Sequence, residues 1–183
     1  MFANNDIVYR VNAADKICFT NKQYDEFAAA NEGNAALTAA VLHRPIWDFI
    51  SDPTTRHLYE KVIERVRDDR SIRFSFRCDS PACRRKLELT VVSVEDGGVE
   101  FRTRTISEET RATQALLQHR AGPSESLLRM CAWCNAIEVD GVWVEVEEAA
   151  RRLRLFEHSY LPTLTHGMCE PCFMRIKKTL SNA

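Results

Sequence analysis

No stretch of this 183-residue sequence stays apolar long enough to cross a bilayer. A spanning helix needs about 20 apolar residues, and the most apolar candidate, "AALTAAVL" at 35–42, falls far short. The opening "MFANNDIVYR" carries an acidic residue and has no long apolar core, which argues against a secretory signal peptide. The chain is therefore expected in the cytoplasm, with no membrane partner. An excess of charge of either sign is also missing: 25 Lys and Arg stand against 26 Asp and Glu, a net charge of −1. Such a balance predicts no strongly basic field for a polyanion. Internal repeats and low-complexity segments are absent. So are a histidine-kinase phosphoacceptor helix, an ATP-binding region, a receiver-type aspartate cluster and the nucleophile–base motifs of hydrolases. No enzyme is expected on these grounds, a thiol oxidoreductase being the alternative.

Cysteine is the residue that is not scarce, with seven in the chain. In a reducing compartment they are expected as free thiols or metal ligands rather than as a disulfide framework. Four of them form two pairs of equal spacing, Cys131 and Cys134 in "RMCAWCNAI" and Cys169 and Cys172 in "LTHGMCEPCFMRI". Two intervening residues let one tight turn aim both sulfurs at a single ion, and zinc in a structural site prefers four thiolates in a tetrahedron. Zinc is therefore the expected cofactor, with an iron–sulfur cluster on the same four cysteines as the alternative. A thioredoxin-like dithiol would need a βαβ setting that neither pair has. A c-type haem is excluded because Asn135 and Phe173, not histidine, follow the pairs. His166 is expected to hydrogen-bond a sulfur or a carbonyl from outside the ligand set, with Gly167 supplying a turn conformation.

The chain before these pairs changes period. "DIVYRVNAADKICFTN" alternates as two short strands around a turn, with Ile7, Tyr9 and Val11 on one face. "KQYDEFAAAN" follows as a helix capped by Asn21, and Asp52-Pro53 opens a longer helix to about Arg67. Three strands come next. "SIRFSFRC" places Ile72, Phe74, Phe76 and Cys78 inward, and "RKLELTVVSV" and "GVEFRTRT" are joined by the turn "EDGG". Antiparallel strands with helices on one face are the natural packing. In "RCDSPACRRKLEL", Cys78 reads as a small buried hydrophobe, as does Cys18 earlier in the chain, and Arg84 and Arg85 beside Asp79 read as a surface ion-pair cluster. Residues 107–121 have helical period from an N-cap at Ser107; Gly122-Pro123 ends that run, and Ser124 can cap a short helix through "ESLLRM". The expected division is 1–106, a helical linker over 107–130, and a four-cysteine module over 131–183.

The element order over 5–106 resembles a PAS domain, an α+β fold with a five-stranded antiparallel sheet and helices on one face. "VNAADKICFTNKQYDEFA" resembles the opening of that fold, and "HRPIWDFISDPTTRHLYEKVIERV" the entry to its long helix. The resemblance implies sensing, through a small ligand held in the cavity or through dimer contacts. The flavin-adduct motif of light-sensing PAS domains is absent. The ligand is unknown, and Cys78, His57, Phe74 and Phe76 are the candidate cavity residues. The bulky inward positions Ile72, Phe74, Phe76, Leu87, Leu89 and Phe101 predict no tightly held chromophore.

In the tail, a knuckle, then a hairpin on Asp140-Gly141, then a last helix opened by the second pair, whose first turn carries two ligands, resembles a zinc-ribbon or treble-clef module. "EVEEAARRLRL" adds a helix between hairpin and final helix, with Val146, Ala149, Ala150 and Leu153 on one side. More closely, 128–176 is similar to a cysteine-pair tail attached to PAS and receiver modules in bacterial signalling proteins. Gly141, Trp143, His166 and Gly167 fill its Gly-x-Trp and His-Gly-x-Cys-x-x-Cys places.

Together these readings predict a bacterial signal-transduction protein, with a PAS-like sensory module coupled to a zinc module that contacts a protein partner. The alternative is a thiol-based redox sensor using Cys131, Cys134, Cys169 and Cys172. From 131 onward the chain has six basic and seven acidic side chains, which weighs against nucleic acid as the partner. A homodimer is expected through a stripe at Ala112, Ala115, Leu116 and His119, which could alternatively pack against the sheet of its own chain.

Overall fold

A computed structural model describes residues 5–31, 33–118, 127–155 and 161–182. The chain divides into two compact units, one comprising Met1–Ser75, Leu87–Thr105 and Ile176–Ala183, the other Phe76–Lys86 and Ile106–Arg175.

The first unit is built on strands β1 (Ile7–Val11) and β2 (Ile17–Thr20), helices α1 (Lys22–Ala30), α2 (Thr38–Val41) and α3 (Pro53–Arg67), then strands β3 (Ile72–Arg77), β4 (Cys83–Val94) and β5 (Gly98–Thr110). The strands form one antiparallel sheet in the order β2-β1-β5-β4-β3, the PAS-like α+β arrangement. Local chemistry starts α1 and α3 where the sequence placed them. The Asn21 side chain accepts the Tyr24 N–H at 3.0 Å, and the Asp52 carboxylate accepts the Thr55 N–H at 2.7 Å, each satisfying an N–H that the first helical turn leaves open. Pro53 follows at the first helical position, where its missing N–H costs nothing. The amphipathic stripe of α3 buries Leu58, Val62, Ile63 and Val66. The hairpin between β4 and β5 turns through Asp96 (φ 58°) and Gly97 (φ 71°), the left-handed pair that matches strand twist.

Alternation sets the core of this unit: Ile72, Phe74, Leu87, Leu89 and Phe101 are buried. Phe101 stands opposite Tyr9 across β1 and β5, and the two rings stack at 4.6 Å. Tyr59 from α3 and Tyr24 from α1 extend the cluster, at 6.1 Å from Phe101 and Tyr9 respectively. Burial pushes the Tyr59 phenol up to about 12 and raises that of Tyr9.

In β1 the expected single face of Ile7, Tyr9 and Val11 does not hold. Val8 and Val11 are its fully buried residues, and a register shift between Arg10 and Val11 interrupts the alternation.

The second unit takes the far ends of β3, β4 and β5 together with β6 (Leu127–Cys131), β7 (Ile137–Val139), β8 (Val142–Val144), α4 (Val146–Arg152), β9 (Thr163–Gly167) and the start of α5 (Glu170–Asn182). Its own sheet runs β8-β7-β6-β9, with β6 and β9 parallel. Asp140 (φ 50°) and Gly141 (φ 77°) make the expected two-residue hairpin between β7 and β8. Val146, Ala149 and Ala150 of α4 pack with Leu116, Ile137, Val139 and Leu155 as one apolar cluster.

Here the structure corrects the helical linker over 107–130. Residues 107–110 continue β5, a 3-10 turn occupies Ala115–Leu117, and Leu127–Cys131, read as the end of a short helix, is strand β6. Helix propensity is a weak prior, and tertiary hydrogen bonding overrides it. The Arg111 N–H bonds Ala82 O at 3.0 Å, and the Gln114 N–H bonds Pro81 O at 2.8 Å, holding the chain extended beside the β3–β4 turn. The module boundaries shift as well: 76–86 and 106–130 group with the four-cysteine module, and 176–183 with the first unit. His119, Gly122-Pro123 and the Ser124 cap lie outside the described residues. Leu116, the centre of the stripe expected to support a dimer, is buried in the core of its own unit.

Candidate metal centre

Each cysteine pair is presented by a turn that the local backbone dictates. Cys131 ends β6; its N–H bonds Ala136 O at 2.8 Å and its C=O accepts the Asn135 N–H at 2.9 Å, so the chain folds back tightly and returns Cys134 to the same side. Asn135 closes this knuckle with φ 59°, a left-handed conformation that asparagine tolerates. The second pair straddles the start of α5, with Cys169 just before the helix and Cys172 in its first turn. The parallel pairing of β6 with β9 brings the pairs together. Cys131 and Gly167 are in register, the Ala132 N–H bonds Gly167 O at 2.9 Å, and the Cys169 N–H points at the Cys131 sulfur at 3.4 Å.

All four Sγ atoms lie within 4.8 Å of one another, and those of Cys134 and Cys169 are 3.7 Å apart. Zn–S bonds of about 2.3 Å put tetrahedral sulfurs about 3.8 Å apart. The spacing therefore suits one ion. A multi-iron cluster interposes more atoms and needs its thiolates farther apart. Cys131, Cys169 and Cys172 are buried and Cys134 is half-buried. Hydrogen bonds from the Cys134 and Cys172 thiols pull the Cys131 sulfur strongly toward its thiolate. The same contact with Cys131 raises Cys134 to about 12 and pushes Cys172 far up. Four crowded sulfurs cannot all ionise alone, and a cation is what would let them do so.

Two arginines border the centre. Arg175 donates to the Cys172 Sγ at 3.6 Å. Arg129 on β6 pairs with Glu138 at 2.7 Å and lays its guanidinium 5.6 Å from the centre of the Trp143 ring. A Cβ on Gly167 would come within 3.1 Å of that guanidinium. Gly167 thus leaves room for Arg129, and the turn role expected of it is corrected: it is a buried residue of strand β9. Gly141, Trp143 and Gly167 so acquire separate physical roles, as a left-handed turn residue, a platform and a clearance. His166 is exposed on β9.

The candidate cavity residues fall in both units, and Cys18, expected buried, is exposed on the edge strand β2. His57 is exposed on α3, its Nδ1 4.0 Å from Glu60. Phe74 is buried in the first unit, whereas Phe76 and Cys78 fall in the second. There Phe76 meets Trp133 edge-on at 6.5 Å, and Cys78 is half-buried with its thiol raised by burial.

The ion-pair cluster expected at the surface around Asp79 is instead a buried network. The Asp79 carboxylate is fully buried, paired with Arg77 and, at 3.3 Å, with Arg111. Arg77 also reaches Glu145 at 2.8 Å and Arg111 reaches Glu147 at 2.9 Å. Arg84, read as a surface residue, joins Glu147 at 3.1 Å, and the Arg85 N–H donates to Asp79 at 3.1 Å. The only sequence signal was the density of charge in "RCDSPACRR"; its partners lie far along the chain.

No known protein family matches the sequence, and no curated protein does. Among solved structures, a sensory box sensor histidine kinase from Vibrio cholerae aligns at 12% identity over 57% of this chain and 83% of its own, with a TM-score of 0.40. The PAS domain of an HTR-like protein from Haloarcula marismortui aligns at 18% identity over 56% of this chain and 88% of its own, with a TM-score of 0.36.

Proposed function

We propose that this chain is a signalling protein whose PAS-like module reads a stimulus and is coupled to a zinc-held module that contacts a protein partner. One observation carries the zinc half: four sulfurs from two distant segments converge at single-ion spacing. The sensory half rests on the five-stranded sheet and its helices. Within it, the stacked Tyr9, Phe101 and Tyr59 occupy space a flat chromophore would need, which favours protein contacts or a small, weakly held ligand. Zinc here would supply charge to hold four thiolates, not a reaction centre.

The test is metal analysis with an absorption spectrum of the purified protein. The expected result is about one zinc per chain, as the four-thiolate set requires, in a colourless sample. Stoichiometric iron would replace zinc with an iron centre, and a Soret or flavin band would overturn the reading of the sensory core.

A second reading, redox sensing, has its own observation: Cys134 is the one sulfur of the four that is not buried. Peroxide could convert two thiolates to a disulfide, taking up two electrons and releasing the ion. On this reading, peroxide at low stoichiometry releases zinc while Cys18, Cys78 and Cys83 stay reduced. Zinc retained until those thiols are consumed rules it out.

A further inference from the structure

The knuckle that carries Cys131 and Cys134 is stitched to the turn between β3 and β4, and Asn135 makes the stitch. The Arg77 N–H donates to Trp133 O at 2.9 Å, within the knuckle itself. With its amide nitrogen facing the carbonyl, Asn135 donates to Arg77 O at 3.2 Å and accepts the Asp79 N–H at 3.0 Å. The opposite orientation would set donor against donor and acceptor against acceptor. Asn135 is buried, and its left-handed backbone is the last residue of the turn that Cys134 occupies. Its side chain is therefore fixed in direction by the knuckle.

The geometry points to Asn135 as the positioning residue through which metal occupancy is communicated to Asp79 in the 76–86 hairpin, the segment continuous with strands β3 and β4. This rests on the reading of the four sulfurs as a metal centre. With the ion bound, Cys131 and Cys134 are held to one point, the turn between them is fixed, and the Asn135 amide meets both backbone groups of the hairpin at once. Without it the knuckle keeps its backbone hydrogen bonds but loses the point that fixes the Cys134 sulfur, and the two Asn135 hydrogen bonds lose their alignment. Coupling of this kind needs a contiguous physical link with two arrangements, and the described contacts supply the link within one unit.

Asn135→Gly isolates the side chain, because glycine takes a left-handed backbone without strain. Amide exchange of the full chain is followed at Asp79 and Arg77, with and without a zinc chelator. In the unmodified protein, chelation is expected to speed both amides. In the variant, metal content stays at the unmodified level. Asp79 already exchanges faster in the loaded state, by about tenfold for a lost buried hydrogen bond, and responds little to chelation. Arg77, bound to Trp133 O, still responds. Asn135→Asp, which keeps the acceptor for the Asp79 N–H, is expected to restore part of the protection there. An Asp79 amide equally protected and equally metal-sensitive in Asn135→Gly overturns the inference. So does loss of the metal from that variant, which would make Asn135 a support of the site instead of a link from it. An unmodified protein that holds no metal sinks the proposed function, whereas one that holds metal without changing these amides on chelation sinks this inference alone.

Discussion

Cys131→Ser is expected to abolish stoichiometric metal binding and to unfold 127–175, leaving the β1–β5 sheet folded. Structural zinc contributes about 10–16 kcal/mol of apparent binding free energy in small modules at neutral pH, and in such modules that is folding free energy. The apolar cluster available to replace it is a small group of aliphatic residues around α4, and modules of this size rarely persist on their own core. Cys131 is also the sulfur toward which the Cys169 N–H is aimed, so its loss removes the contact that seats the second pair as well as one ligand. Metal analysis and amide exchange, read segment by segment, check this. Protection retained throughout 127–175 in a metal-free variant would contradict it.

The second large effect is expected at Asp79, away from the sulfurs. Asp79→Ala removes the fully buried carboxylate shared by Arg77 and Arg111, whose side chains are mostly buried and which then keep only the more exposed Glu145 and Glu147 as partners. Breaking a buried pair by removing one partner costs about 3–5 kcal/mol, most of it the penalty of the stranded charge. Denaturant unfolding of the full chain should show an earlier transition assigned to the second unit, with metal still bound at its start. Asp79→Ala combined with Arg111→Leu should recover part of the loss, because one stranded charge is gone. A single variant within about 0.5 kcal/mol of the parent, the range of ordinary surface changes, would mean that water reaches the cluster freely.

The contrast between these two positions explains what could be read in advance. The four-sulfur cluster was legible because its chemistry is local: two residues between cysteines are enough to aim two sulfurs at one point, and the repeat of that spacing supplies the rest. The caps at Asn21 and Asp52 and the turns at Asp96-Gly97 and Asp140-Gly141 were legible for the same reason. Each is decided within four residues by side-chain reach or by φ. Asp79 was not. Its guanidinium partner Arg111 and the surrounding Glu145 and Glu147 lie 32 to 68 positions further along the chain, and nothing in a nine-residue window of charges separates a solvated cluster from a buried one. Arg129 was overlooked likewise, because its partners Glu138, Trp143 and Gly167 converge on it only after β6 is flanked by β7 and β9.

The sequence by itself determined the elements whose hydrogen bonds and periodicity are self-contained: α1, α3 and α4, the strands of the five-stranded sheet, the two tight hairpins and the identity of the four sulfurs. Tertiary structure alone decided where β5 ends, that 127–131 is a strand, and that the β3–β4 turn belongs with the cysteine knuckle. The reason is that 107–110 and 127–131 carry helix-compatible patterns of small energetic weight, tenths of a kcal/mol per residue by rough measure. A strand edge offered by a distant segment, β4 for the first and β9 for the second, satisfies their backbone groups and outweighs that preference.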